Sequence, residues 1–163
     1  MKALSVWQPH ASLTAIMAKG IETRGWATKY RGPLAIHAAK TFPKSARELC
    51  CEPIFSEALF GPGKHCYTST LDLPFGAVIA TCNLAECCAI KEDGLYRLDP
   101  DLIEPPTWFA PLPGEPEISF GDYTPGRFAW ILKDVKILPE PIPAKGHQSL
   151  WNWEPPESFG ELA

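Results

Sequence analysis

The sequence predicts an α+β fold: a small, partly open β-barrel with one N-terminal helix and short peripheral helices. Three observations lead there. Short apolar, often alternating runs recur at Leu4–Val6, Leu34–Ala38, Phe75–Leu84 and Phe128–Leu138, the pattern of half-buried strands. Helical periodicity comes early, where Leu13, Ile16 and Met17 recur at i, i+3, i+4. Eighteen prolines in 163 residues are about twice an average share and limit helix content.

Taken in order, Leu4 and Val6 open a strand, and Pro9 suits a first helical position because its missing N–H has no helical partner there. The helix is expected to run from Pro9 to Lys19, with Gly20 as a left-handed cap. A polar segment leads to Arg31-Gly32-Pro33 and the strand through Ile36. Residues 43–60 read as two helical pieces interrupted by Pro53. The strand from Phe75 is expected to continue toward Ile90. Residues 91–126, acidic and proline-rich without a period, read as a long loop or insertion in a single domain spanning 1–163. Beyond the Phe128–Leu138 strand, Pro139, Pro141 and Pro143 predict a stiff extended connection. It delivers the tail Lys145 to Trp153, which reads as a closing strand.

Composition narrows the function classes. Hydrophobic content of 45% and charged content of 21% fit one ordinary globular core. No run of apolar residues is long enough for a transmembrane helix, and the N-terminus lacks a signal-peptide core. The expectation is therefore a cytoplasmic protein. Six cysteines, including the neighbours Cys50-Cys51 and Cys87-Cys88, then read as reduced, mostly buried thiols. The net charge of −4 is unevenly spread. Residues 1–50 hold eight Lys/Arg against Glu22 and Glu48, and the remainder is strongly acidic. A basic first third on an acidic body leaves room for a local anion site.

Three constellations carry chemistry. In Lys19-Gly20-Ile21-Glu22-Thr23-Arg24, an extended run puts Glu22 and Arg24 on one side, with Lys19 approaching from the helix end. The guanidinium offers a planar donor fork and the lysine a point charge or a base. The plain alternative is an ion pair of little energetic consequence. Trp7, Trp26, Tyr30, Trp151 and Trp153 are candidate stacking surfaces for bases, Trp26 and Trp151 above the rest, whereas Trp130 within a strand reads as core. The tail brings His147, Gln148 and Ser149, donors and acceptors, beside two tryptophans. Cys82, Cys87, Cys88, His65 and Cys66 have metal-ligating atoms but not the spacing of a zinc site. No metal and no cofactor are expected.

Leu4-Ser5-Val6-Trp7-Gln8-Pro9, Lys19-x-x-Glu22-x-Arg24, Trp26, and Tyr30-Arg31-Gly32-Pro33-Leu34-x-Ile36-His37-Ala38-Ala39-Lys40 together resemble the ASCH domain family. So does the ending Lys145-Gly146-His147-Gln148-Ser149-Leu150-Trp151. Lys19, Glu22 and Arg24 match the charged positions of that family's G-x-K-x-x-E-x-R motif, and Met17 stands at its glycine. The resemblance covers most of the chain but not 91–126.

It implies a PUA-like barrel with a cleft beside the motif, binding single-stranded RNA or a modified nucleoside. Arg24, Trp26, His147, Gln148, Ser149 and Trp151 are the ligand-binding candidates. It leaves open a ribonuclease, or an amidohydrolase acting on N4-acetylated cytidine, with Lys19, Glu22 and Glu86 as catalytic candidates. Amidohydrolases of this type use a threonine three residues after the lysine, where this chain has Glu22, with Thr23 next to it. A protein-interaction domain, argued from the acidic segment, is the further alternative.

Overall fold

The computed structural model describes residues 1–62, 67–98, 109–157 and 159. It is a small mixed α+β structure dominated by strands, with few and short helices. The strands are β1 (Lys2–Val6), β2 (Ile21–Arg24), β3 (Gly32–Ala38), β4 (Ala77–Lys91), β5 (Gly94–Arg97), β6 (Phe109–Ala110), β7 (Phe128–Pro143) and β8 (Leu150–Asn152). The helices are α1 (His10–Ala15), α2 (Lys44–Leu49) and α3 (Pro53–Phe60), with 3₁₀ turns at Thr70–Asp72 and Glu117–Phe120. The strand order is open-ended among the described residues, so the sheet is not closed.

The chain forms two compact units. The first comprises Met1–Ala18, Pro33–Cys82 and Asp134–Ala163; the second comprises Lys19–Gly32 and Asn83–Lys133. Both β4 and β7 are long enough to contribute to each. In the first unit the order is β7-β4-β3-β1-β8. There β1 runs parallel to β3, pairing Ser5 with His37, and antiparallel to β8, pairing Ala3 with Trp151. Ala3, Ala35, Val78, Leu138 and Trp153 pack as one core cluster. In the second unit the order is β2-β7-β4-β5-β6. Here β2 is antiparallel to β7, with Glu22 opposite Trp130, and Cys88, Ile90, Leu95, Tyr123 and Ala129 form the core.

Several expectations meet a correction. Helix α1 stops at Ala15, not at Lys19, because Met17 takes a left-handed φ of 61°. Met17 N–H then bonds Thr14 O, and Ala18 N–H bonds Leu13 O. That pair of bonds is a Schellman cap, closed by methionine instead of the expected Gly20. Pro9 precedes the helix and does not begin it. The Gln8 side chain, fully buried, caps the helix by accepting from Ser12 N at 3.0 Å.

Strand β7 runs on through Pro143, replacing the expected proline connection. In the first unit β7 is an edge strand. Pro139, Pro141 and Pro143 are all exposed, so their missing donors fall where no ladder needs them. Pro53 breaks the helical region as expected, by starting α3. Strand β4 continues to Lys91 as expected. Segment 91–126 is not wholly loop: it holds β5, β6 and the turn at Glu117, while 99–108 lie outside the described residues.

All five described cysteines are free, and only Cys51 is exposed. Burial pushes Cys82 up to about 12 and, with the neighbouring Cys87 and Glu86 charges, Cys88 up to about 11. His65 and Cys66 lie outside the described residues. Among the described residues no helix is long and apolar enough to cross a membrane.

Candidate nucleic-acid interface

The candidate residues fall into two groups, one in each unit. Lys19, Glu22, Arg24, Trp26 and Glu86 belong to the second unit; His147, Gln148, Ser149 and Trp151 belong to the first.

In the second unit, β2 places Glu22 and Arg24 on one side, as alternation demands. Glu22 is the hub. Its Oε2 lies 2.5 Å from Lys19 Nζ, and its Oε1 lies 3.0 Å from Arg24 Nε. The lysine is 1% exposed and also donates to the carbonyl of Ile21 at 2.6 Å. A buried ammonium requires such partners, because desolvation without them costs several kcal/mol. Lys19 is therefore a buried, paired cation: the ion pair of the plain alternative forms, but in the interior and not on the surface. Arg24 keeps a quarter of its side chain exposed and is the more accessible of the two cations.

Thr23 points the other way, its hydroxyl accepting from Asp122 N at 3.0 Å. Trp26 is half-buried and meets core Trp130 edge to face, with ring centres 4.6 Å apart. Trp130 Nε1 also donates to Trp26 O at 3.3 Å, which fixes the loop after β2.

Glu86 has other partners. Its Oε2 lies 2.7 Å from Arg97 Nε and 4.0 Å from Arg31 Nε. Arg31 is itself engaged with the carbonyls of Thr28, Tyr30 and Leu98. Glu86 lines a hollow of about 410 Å³ with Ile21, Leu95, Arg97, Ile131 and Lys133 among its walls. Its ion pairs are with the arginines and not with Lys19.

One residue in this unit escaped the sequence reading. Glu117 accepts from Gly20 N at 2.7 Å and from Ile21 N at 3.1 Å. Tyr123 donates its hydroxyl to the same carboxylate at 3.4 Å. Burial, then the charge of Glu117, raises the Tyr123 pKa, and Glu22 adds to the effect. The phenol stays protonated and available as a donor.

In the first unit, the tail passes over the ends of β1 and β3. Trp151 is half-buried, and its Nε1 donates to Ser5 Oγ at 3.2 Å. His37 stands edge-on to Trp151 with centres 5.7 Å apart, and exposed His147 tilts against the same indole at 5.3 Å. Gln148 and Ser149 are exposed, and Ser149 holds a left-handed φ of 58°.

His37, quoted in the resemblance but given no site role, belongs here as well. It is 2% exposed, and its Nε2 lies 3.0 Å from the carbonyl of Ala144. A carbonyl only accepts, so Nε2 carries the proton and Nδ1 presents a lone pair. Nδ1 is buried, with no hydrogen-bond partner among the described residues. Burial lowers the His37 pKa against the opposing hydrogen bond to Ala144, and the neighbouring His147 lowers it further. Gly146 closes the site: a Cβ there would fall 2.4 Å from His37 Cε1 and 2.8 Å from Ser5 Oγ. Its lack of a side chain is what allows this approach.

Among the described residues no group of His, Cys, Asp and Glu is arranged to hold a metal ion. No family model matches the chain, and no curated protein is similar to it at a significant level.

Proposed function

We propose that this chain is an RNA- or nucleotide-binding protein of the ASCH type on a PUA-like framework, with the Lys19–Glu22–Arg24 segment at its binding surface. The observation that carries the reading is the single carboxylate of Glu22 joining the ammonium at 2.5 Å and the guanidinium at 3.0 Å. Lys19 fixes Glu22, Glu22 aims Arg24, and the guanidinium is partly exposed, within reach of a phosphate or a base edge. Trp26 follows two residues later. In the other unit, Trp151 with His147, Gln148 and Ser149 is a separate candidate surface for unstacked bases.

The test is titration of single-stranded RNA against wild type and Arg24→Ala at two salt concentrations. Arg24→Ala is expected to weaken binding by about 1 kcal/mol or more, and to flatten the salt dependence. Equal affinity of the two proteins would remove the site from this segment.

A hydrolase is favoured by one observation, the amine of Lys19 lying 2.5 Å from a carboxylate, an arrangement suited to proton transfer. The amidohydrolase form has less support than the ribonuclease form. Thr23 is engaged with Asp122, and Glu86 is paired with arginines. Turnover of acetylated cytidine or of labelled RNA, abolished in a folded Glu22→Gln variant, would establish catalysis. Within the acidic segment, the Glu117 carboxylate is committed to the main chain before β2, whereas that of Asp122 is held by Thr124 and Arg127.

A further inference from the structure

Gly20 and Ile21 offer two successive backbone N–H groups, and both point at one carboxylate, that of Glu117, from 97 and 96 residues away in sequence. Converging main-chain donors of this kind form an oxyanion site. They sit between Lys19 and Glu22, at the edge strand of the second unit. Lys19, Glu22 and Arg24 sum to +1, and Glu117 offsets that charge.

The carboxylate is also held in place. Tyr123 donates to it, and Asp122 N–H bonds Thr23. Gly121 lies so close that an added Cβ would fall 3.0 Å from Thr23 Cγ2 and 2.7 Å from Tyr123 Cε2. The segment from Glu117 to Tyr123 thus presses an acid onto donors that a phosphate would otherwise use.

We propose that Glu117 is an internal anion that occupies an oxyanion site at Gly20 and Ile21 and thereby sets which ligands this surface admits, disfavouring phosphate. Its consequence for RNA rests on the binding function proposed above; its consequence for inorganic phosphate does not. Glu117→Gln keeps the side-chain size and one acceptor but removes the charge.

The experiment titrates inorganic phosphate into the full chain, wild type and Glu117→Gln, following the amide resonances of Gly20 and Ile21. Single-stranded oligouridine affinity is measured in parallel. The variant is expected to show saturable shifts at both amides, with none in wild type. Its RNA affinity is expected to rise about fivefold on loss of one adjacent like charge. Should the variant unfold in plain buffer, phosphate is expected to restore a cooperative melt.

Identical phosphate responses in the two proteins, weaker RNA binding by the variant, or an unfolded variant that phosphate does not rescue would overturn the proposal. A phosphate response confined to the variant, with no RNA binding by either protein, would retain the role of Glu117 and reject the RNA function.

Discussion

At the turn into β2 every charged group has a partner of opposite sign or a main-chain donor. Along the approach to β8 the buried groups are neutral, and one acceptor, His37 Nδ1, has no donor among the described residues. Lys19, Glu22, Arg24 and Glu117 form the first arrangement, built from charge and geometry together. Ser5, His37, Gly146 and Trp151 form the second, built from strand pairing and the close approach of a glycine. The difference shows that a charged motif can be largely committed to its own architecture, while a tail of modest polar residues is held by strand pairing and close packing.

The largest expected effect comes from breaking the charged arrangement at its hub. Glu22→Ala leaves the ammonium of Lys19, 1% exposed, without its carboxylate. A loss of about 3–5 kcal/mol is expected from stranding a buried charge, measured as a fall in the urea midpoint with little change in m. A loss below about 1 kcal/mol would mean that the pair behaves as a surface contact.

The smaller effect belongs to the neutral arrangement and is read from pH. The folded-state pKa of His37 lies below 6.5, so the unfolded chain binds its proton first as pH falls. The stabilisation is therefore complete above the unfolded value of 6.5 and is lost as pH drops toward the folded value. Acidification from neutrality is expected to lower the melting temperature of wild type, and His37→Gln is expected to remove part of that slope. Identical slopes would place the acid sensitivity elsewhere.

Much of this architecture was legible in sequence, and the reasons differ by element. Strands β1, β3 and β7 announce themselves by alternation, and Pro53 marks the start of α3 by chemistry that acts locally. The shared side of Glu22 and Arg24 follows from the two-residue period of a strand. The end of α1 was not legible, because a left-handed methionine at position 17 contradicts the preference that points to Gly20. The full length of β7 was hidden by prolines whose tolerance depends on their lying at an edge, a property of the sheet and not of the segment. Glu117 could not be found at all: its partners are nearly a hundred residues away, in a stretch without periodicity. His37 carried a signal, a titratable ring within an apolar strand, but its tautomer is set by Ala144 across the fold. Glu86 was singled out without sight of Arg97, which reaches it from β5, where it pairs opposite Cys88.

The most direct test of the charged arrangement is a double-mutant cycle in urea with Lys19→Met, Glu22→Leu and the combined variant. Replacing both charges together with apolar groups avoids stranding either one. A coupling energy of about 2 kcal/mol or more is expected, with the double variant more stable than either single variant. Strict additivity would contradict the claim that Glu22 and Lys19 are folded around each other.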